Sequence, residues 1–172
     1  IAFDNKDADQ IAIELKELQL HVEAAKLVVG DNGIALRSAG PSRYAPTVEG
    51  MIKTKVVIHQ IEALMAMLNN DDKAVEKHLM EATRLEASSS YDSGPPFIAY
   101  PSFEQYGDWL LNKGRAEDAL IQYDQSLTNR TNRSKALLGK VNALTQLGRT
   151  EEAKEVQKIV EVFWKKEMEA AS

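Results

Sequence analysis

One six-residue pattern occurs twice in the chain. Gly114-Arg115-Ala116-Glu117-Asp118-Ala119 returns 34 residues later as Gly148-Arg149-Thr150-Glu151-Glu152-Ala153. A period of that size marks a supersecondary unit that cannot bury its apolar side alone and must stack against a copy of itself. In each copy an apolar, helix-forming stretch precedes the Gly-Arg turn and an amphipathic stretch follows it. A glycine just past the last turn closes a helix, and the small Ala119 and Ala153 sit where two helices have to approach closely.

The rest of the chain reads as helix of the same kind. All five prolines fall in two clusters, Pro41 with Pro46 and Pro95-Pro96 with Pro101, and proline ends helices by removing a donor and clashing with the preceding turn. Between the clusters Ala, Leu, Glu, Lys and Gln predominate, and alternating Val, Ile and Thr are absent. The spacing predicts seven helices, over about 7–29, 48–69, 71–87, 101–113, 115–128, 134–147 and 149–168. The first carries the stripe Ile11, Leu15, Leu18, Val22 and Ala25, and the second an apolar side of Val57, Ile61, Leu64 and Leu68. Asn69-Asn70-Asp71-Asp72 reads as a turn followed by a helix cap. The class is all-α.

The period and its residues resemble the tetratricopeptide repeat (TPR), a helix-turn-helix unit of 34 residues. In the copy at 100–133, Phe103, Tyr106, Gly107, Leu110, Gly114, Ala119, Tyr123 and Leu127 stand where that family places its packing residues. In 134–172, Leu137, Leu144, Gly148, Ala153 and Val160 do so, whereas Val141 replaces a glycine and Gln157 a bulky residue. Residues 48–87 resemble a divergent unit with Ala63, Val75, Leu79, Ala82 and Leu85 at suitable places. Residues 88–99 form a Ser/Gly/Pro loop, and 1–47 an N-terminal helical segment matching no unit. The whole is similar to the C-terminal segment of longer bacterial TPR proteins of unassigned function. The resemblance implies an α-α superhelix of antiparallel hairpins, a TPR-like solenoid, with the last helix as a cap.

It also implies a groove lined by the first helix of each unit. Outward positions are Gln60, Leu64 and Met67 in the divergent pair, Glu104, Asp108, Leu111 and Asn112 in the next, and Lys135, Leu138, Asn142 and Gln146 in the last. Such a mixture of amide, charged and apolar groups suits an extended peptide or a helix. Lys135 and Asn142 match part of the set with which some TPR domains hold a C-terminal carboxylate, but Gly139 stands where a further cation or amide is needed. Charge adds a second expectation. No acid occurs from Gln125 to Thr150, where Arg130, Arg133, Lys135, Lys140 and Arg149 accumulate in a chain of net charge −5. Such a basic patch steers acidic partners.

Chemistry of other kinds finds little support. There is no cysteine, hence no disulfide, thiolate zinc site or cysteine nucleophile. No H-E-x-x-H, G-x-S-x-G, P-loop or dinucleotide pattern occurs. His21, His59 and His78 lie on separate helices; His59 and His78 can face one another in the divergent pair, but packing or surface roles are the commoner fate of lone histidines. Ser88-Ser89-Ser90 reads as linker, and Asn129-Arg130-Thr131 and Asn132-Arg133-Ser134 as glycosylation acceptors only in a secreted eukaryotic protein.

The expectation is therefore a non-catalytic TPR-type scaffold, with no cofactor, no metal and no catalytic residue. Its partner is a protein or peptide, an acidic one if the basic patch steers it; nucleic acid and membranes are not expected, and the N-terminal side is open to self-association. The alternatives are a structural C-terminal cap of a longer helical-repeat protein, or a small ligand- or metal-binding helical module. An opening Ile1-Ala2-Phe3 without Met suggests a longer precursor, which leaves the compartment, cytoplasmic or exported, open.

Overall fold

The computed structural model describes residues 8–29, 47–89, 98–128 and 132–170. Among them the chain is helical with no strand. The helices are α1 (Ala8–Val29), α2 (Val48–Leu68), α3 (Asp72–Ser88), α4 (Ser102–Asn112), α5 (Ala116–Thr128), α6 (Ser134–Gln146) and α7 (Thr150–Ala170). The breakers place these bounds within about two residues of the sequence expectation. Of the expected loop at 88–99, Ser88 is the last residue of α3 and 90–97 lie outside the described residues, as do 30–46. The chain divides into two compact units, residues 1–102 and 103–172.

Three helix pairs turn on the same corner. Gly114 and Gly148 take φ of +74° and +72°, and Asn70 takes +55°. At each corner the residue in the left-handed region donates its N–H three residues back: Gly114 to Leu111 at 3.1 Å, Gly148 to Thr145 at 3.0 Å, Asn70 to Met67 at 3.1 Å. The following N–H then reaches five residues back, Arg115 to Leu110 and Arg149 to Leu144 at 2.9 Å, Asp71 to Ala66 at 3.0 Å. These two bonds satisfy carbonyls that a helix end otherwise leaves without partners. The next helix starts at once, its first bonds running from Ala119 to Arg115, Ala153 to Arg149 and Val75 to Asp71 at 3.0 Å. Asp71 also caps α3 by accepting from the Ala74 N–H at 3.1 Å, the role its sequence position indicates.

In the first unit α2 packs against both α1 and α3. From α1, Ile11 and Val22 are buried and Leu15, Leu18 and Ala25 half-buried, so the expected stripe is the packing side. From α3, Val75, Leu79, Ala82 and Leu85 are buried. The face expected for α2 needs correcting. Its most enclosed apolar residues are Val56, Ile58, Ala63 and Ala66, while Val57, Ile61 and Leu64 are half-buried and Leu68 is exposed. A helix flanked on two sides has no single apolar stripe, and small residues set the closest approach. Val56, Ala82 and Leu85 form a core to which Ile52 and Ile98 add. The segment leaving this core is tied down by Gln60 Nε2 donating to the Tyr100 carbonyl at 2.6 Å and the Ser102 N–H donating to Glu86 Oε2 at 2.6 Å.

The second unit closes on Tyr123. Its side chain is fully buried, with the ring against Gly107 of α4 and Gly139 of α6. A Cβ at Gly107 would lie 2.8 Å from the ring and one at Gly139 2.3 Å, so only glycine admits the helices this close. Leu110, Ala119, Ala136, Leu137, Ala143, Leu144, Ala153 and Val160 complete the interior. Each fully buried Leu or Val removes apolar area worth roughly 1.5–3 kcal/mol.

Candidate functional site

The outward positions of the second unit divide into two groups. Asn112 near the end of α4, and Lys135, Asn142 and Gln146 on α6, are exposed, with Leu111, Leu138 and Asp108 half-buried beside them. Glu104 does not belong with them. Expected to project outward, it is instead fully buried, accepting from Ser126 Oγ at 3.1 Å and paired with the Arg133 guanidinium, whose Nη2 lies 3.2 Å from Glu104 Oε2. A carboxylate at that depth needs charge-assisted partners, and Arg133 and Ser126 supply them. Asp108 is also engaged, accepting from the Tyr123 hydroxyl at 2.7 Å and lying 3.5 Å from Lys135 Nζ. Burial first, and then this hydrogen bond to Asp108, push the Tyr123 phenol well above its ordinary range. Gly139, compared above with a carboxylate-holding position, is a packing residue turned to Tyr123.

The basic patch is not a cluster of unpaired cations. Arg133 meets Glu104, Lys135 meets Asp108, Lys140 meets Asp124 at 2.6 Å and Arg149 meets Glu152 at 2.6 Å. The Arg149 pair holds the Glu152 carboxyl below its usual range. Arg130 lies outside the described residues. The acid-free stretch is local in sequence only, because α4, α5 and α7 bring carboxylates to it. The exposed pairs among them add little to stability, and a carboxylate beside each of these four cations reduces the field that would steer an acidic ligand.

In the first unit Gln60, expected in the groove, is buried and bonded to Tyr100, and Leu64 and Met67 are half-buried. The same helix carries a cluster that the sequence only half discloses. His59 and Glu62 are three residues apart on α2 and so share a face. His78 of α3 comes to meet them. Each histidine Nδ1 lies 2.8 Å from Glu62 Oε2, and the two nitrogens are 3.2 Å apart. Side-chain exposures of 26% for His59, 22% for Glu62 and 21% for His78 leave the group part-buried. Gln19 of α1 donates its amide to Glu62 Oε1 at 3.1 Å. A cleft of about 360 Å³ opens beside His59, lined also by Lys55, Glu81 and Arg84. The Arg84 hydrogen bond holds the Glu81 carboxyl below its ordinary value.

Glu62 is the residue that sequence reasoning missed. The available signal was the His59-x-x-Glu62 spacing on a helix whose partner carries the other histidine. His21 stands apart from the group, exposed on α1. Two imidazoles and a carboxylate converging on one point are Lewis-basic donors, able to share protons or hold a cation. No family model, no curated protein and no solved structure matches the chain, so both surfaces are interpreted from their own geometry.

Proposed function

We propose that the chain is a TPR-type helical-repeat scaffold, without catalytic activity, that binds another protein or peptide along the outward side of α4 and α6. The observation that carries this reading is the recurrence of one corner, with the same two capping bonds, at Gly114 and Gly148. Hairpins turned alike and packed through small residues share an apolar seam and present their first helices side by side. On those helices Asn112, Asn142 and Gln146 offer exposed amides, which can pair with the backbone of an extended ligand, and Leu111 and Leu138 offer half-buried apolar contact. Because Lys135 and Arg133 are matched by acids, the partner is selected by shape and backbone hydrogen bonding more than by charge.

A photo-crosslinking side chain placed at Asn142 should give a defined adduct in extracts of the source cell, and one at the exposed Ile121 of α5 should not. Equal labelling from both positions would contradict the assignment.

One observation favours a second reading, in which α7 is the closing cap of a longer array. Its described outer side carries the pairs Lys154–Glu151 and Lys158–Glu155 at 2.8 and 2.6 Å, a largely polar side, interrupted by the exposed Ile159 and Val162, of the kind a terminal helix presents.

A further inference from the structure

We propose that His59, Glu62 and His78 bind one divalent transition-metal ion, of which zinc is the best match, and that the ion clips α2 to α3. Four features of the cluster lead there. The three donor atoms form a triangle with sides of 2.8, 2.8 and 3.2 Å. Zinc–ligand bonds of about 2.0–2.2 Å in a tetrahedral site place donors about 3.3–3.5 Å apart. Against that spacing the two histidine–Glu62 sides need to open by about 0.5–0.7 Å and the histidine–histidine side by about 0.1–0.3 Å, a shift within the reach of side-chain rotations, with the ion resting above the plane.

The second feature is the state of Glu62 Oε2. It is sealed from solvent and receives no hydrogen bond, although two ring nitrogens lie within 2.8 Å. A buried carboxylate oxygen without a donor is costly, and a cation bound to all three atoms removes that cost. The third is positioning. Glu62 Oε1 is held by the Gln19 amide, the kind of outer contact that orients a ligating carboxylate. Imidazole is competent through Nδ1 as well as through Nε2.

The donor set selects the metal. Two imidazoles and one carboxylate suit the zinc class, whereas calcium and magnesium take mostly or wholly oxygen ligands, six or more of them. Three protein donors leave the fourth vertex for water, and the part exposure of all three side chains gives water access. The alternative arrangement, in which the two rings and the carboxylate share protons, predicts no metal uptake and is separated by the test.

The test uses the full chain without a histidine tag, stripped with chelator and titrated with Zn²⁺ by calorimetry and with Co²⁺ by visible absorption. One equivalent per chain and a tetrahedral cobalt spectrum are expected. His59→Ala and His78→Ala should each weaken uptake by at least about 100-fold, and Gln19→Ala by about 10–100-fold, while His21→Ala leaves it unchanged. The near-isosteric Glu62→Gln, checked for retained helicity, keeps the result interpretable if a histidine variant fails to fold; it too should weaken uptake. Absence of stoichiometric uptake by the parent chain overturns the proposal, and so does undiminished uptake in the folded variants. Neither result bears on the binding face of α4 and α6.

Discussion

Tyr123 shows how much one side chain decides in the second unit. Its ring fills the space left by Gly107 and Gly139, and its hydroxyl reaches Asp108. Gly139→Ala should destabilise the protein by about 1–3 kcal/mol, because the added methyl meets a buried ring that has nowhere to go; urea denaturation measures it. The same ring gives a pH dependence. The phenol is raised above its ordinary value of 10.0, so folding favours the neutral form. Its contribution is complete below pH 10 and is lost as the pH climbs beyond it. Tyr123→Phe should lower stability at neutral pH by about 1 kcal/mol and make the alkaline loss shallower, as followed by circular dichroism.

Arg133 is the second decisive residue. Replacing it with Met strands the buried Glu104 carboxylate, at a cost of about 3 kcal/mol. Adding Glu104→Gln to that variant should recover part of the loss in thermal unfolding. A structural pair responds this way; a residue reserved for a ligand does not.

At the scale of elements, the corners explain why helix limits were legible. Glycine at 114 and 148, prolines between hairpins and acids at helix starts act locally, and local signals survive in sequence. A Cβ at Gly114 or Gly148 meets nothing within 4 Å, so alanine there is penalised by backbone conformation alone. Gly114→Ala should cost about 1–2 kcal/mol, and Asn70→Gly should be neutral or slightly stabilising, both read from melting curves. The buried face of α2 was less legible because two neighbours enclose it. Periodicity finds one stripe, and a helix packed on two sides has more than one.

At the scale of the molecule, what the sequence obscured is what distant segments do to one another. A run of cations free of nearby acids looks like a patch until Glu104, Asp108 and Asp124 meet Arg133, Lys135 and Lys140 from other helices; Arg149 finds Glu152 three residues on. Likewise His59 and His78, nineteen positions apart, become a three-donor cluster only once α2 and α3 pair and Glu62 is recognised between them. The repeat fixes which residues turn the corners; the pairing of helices fixes which charges remain available. What remains outward on α4 and α6 is Asn112, Lys135, Asn142 and Gln146, with Leu111 and Leu138 half-buried.

The most direct check on the proposed binding role of α4 and α6 is quantitative affinity capture with the full chain, comparing the parent with the triple variant Asn112→Ala, Asn142→Ala, Gln146→Ala and with Ile121→Ser as the control. The account predicts a partner retained by the parent and the control and lost, by about tenfold or more, from the triple variant of unchanged melting temperature, since each backbone hydrogen bond removed costs on the order of 1 kcal/mol. The same proteins recovered in the same amounts by all three would contradict it.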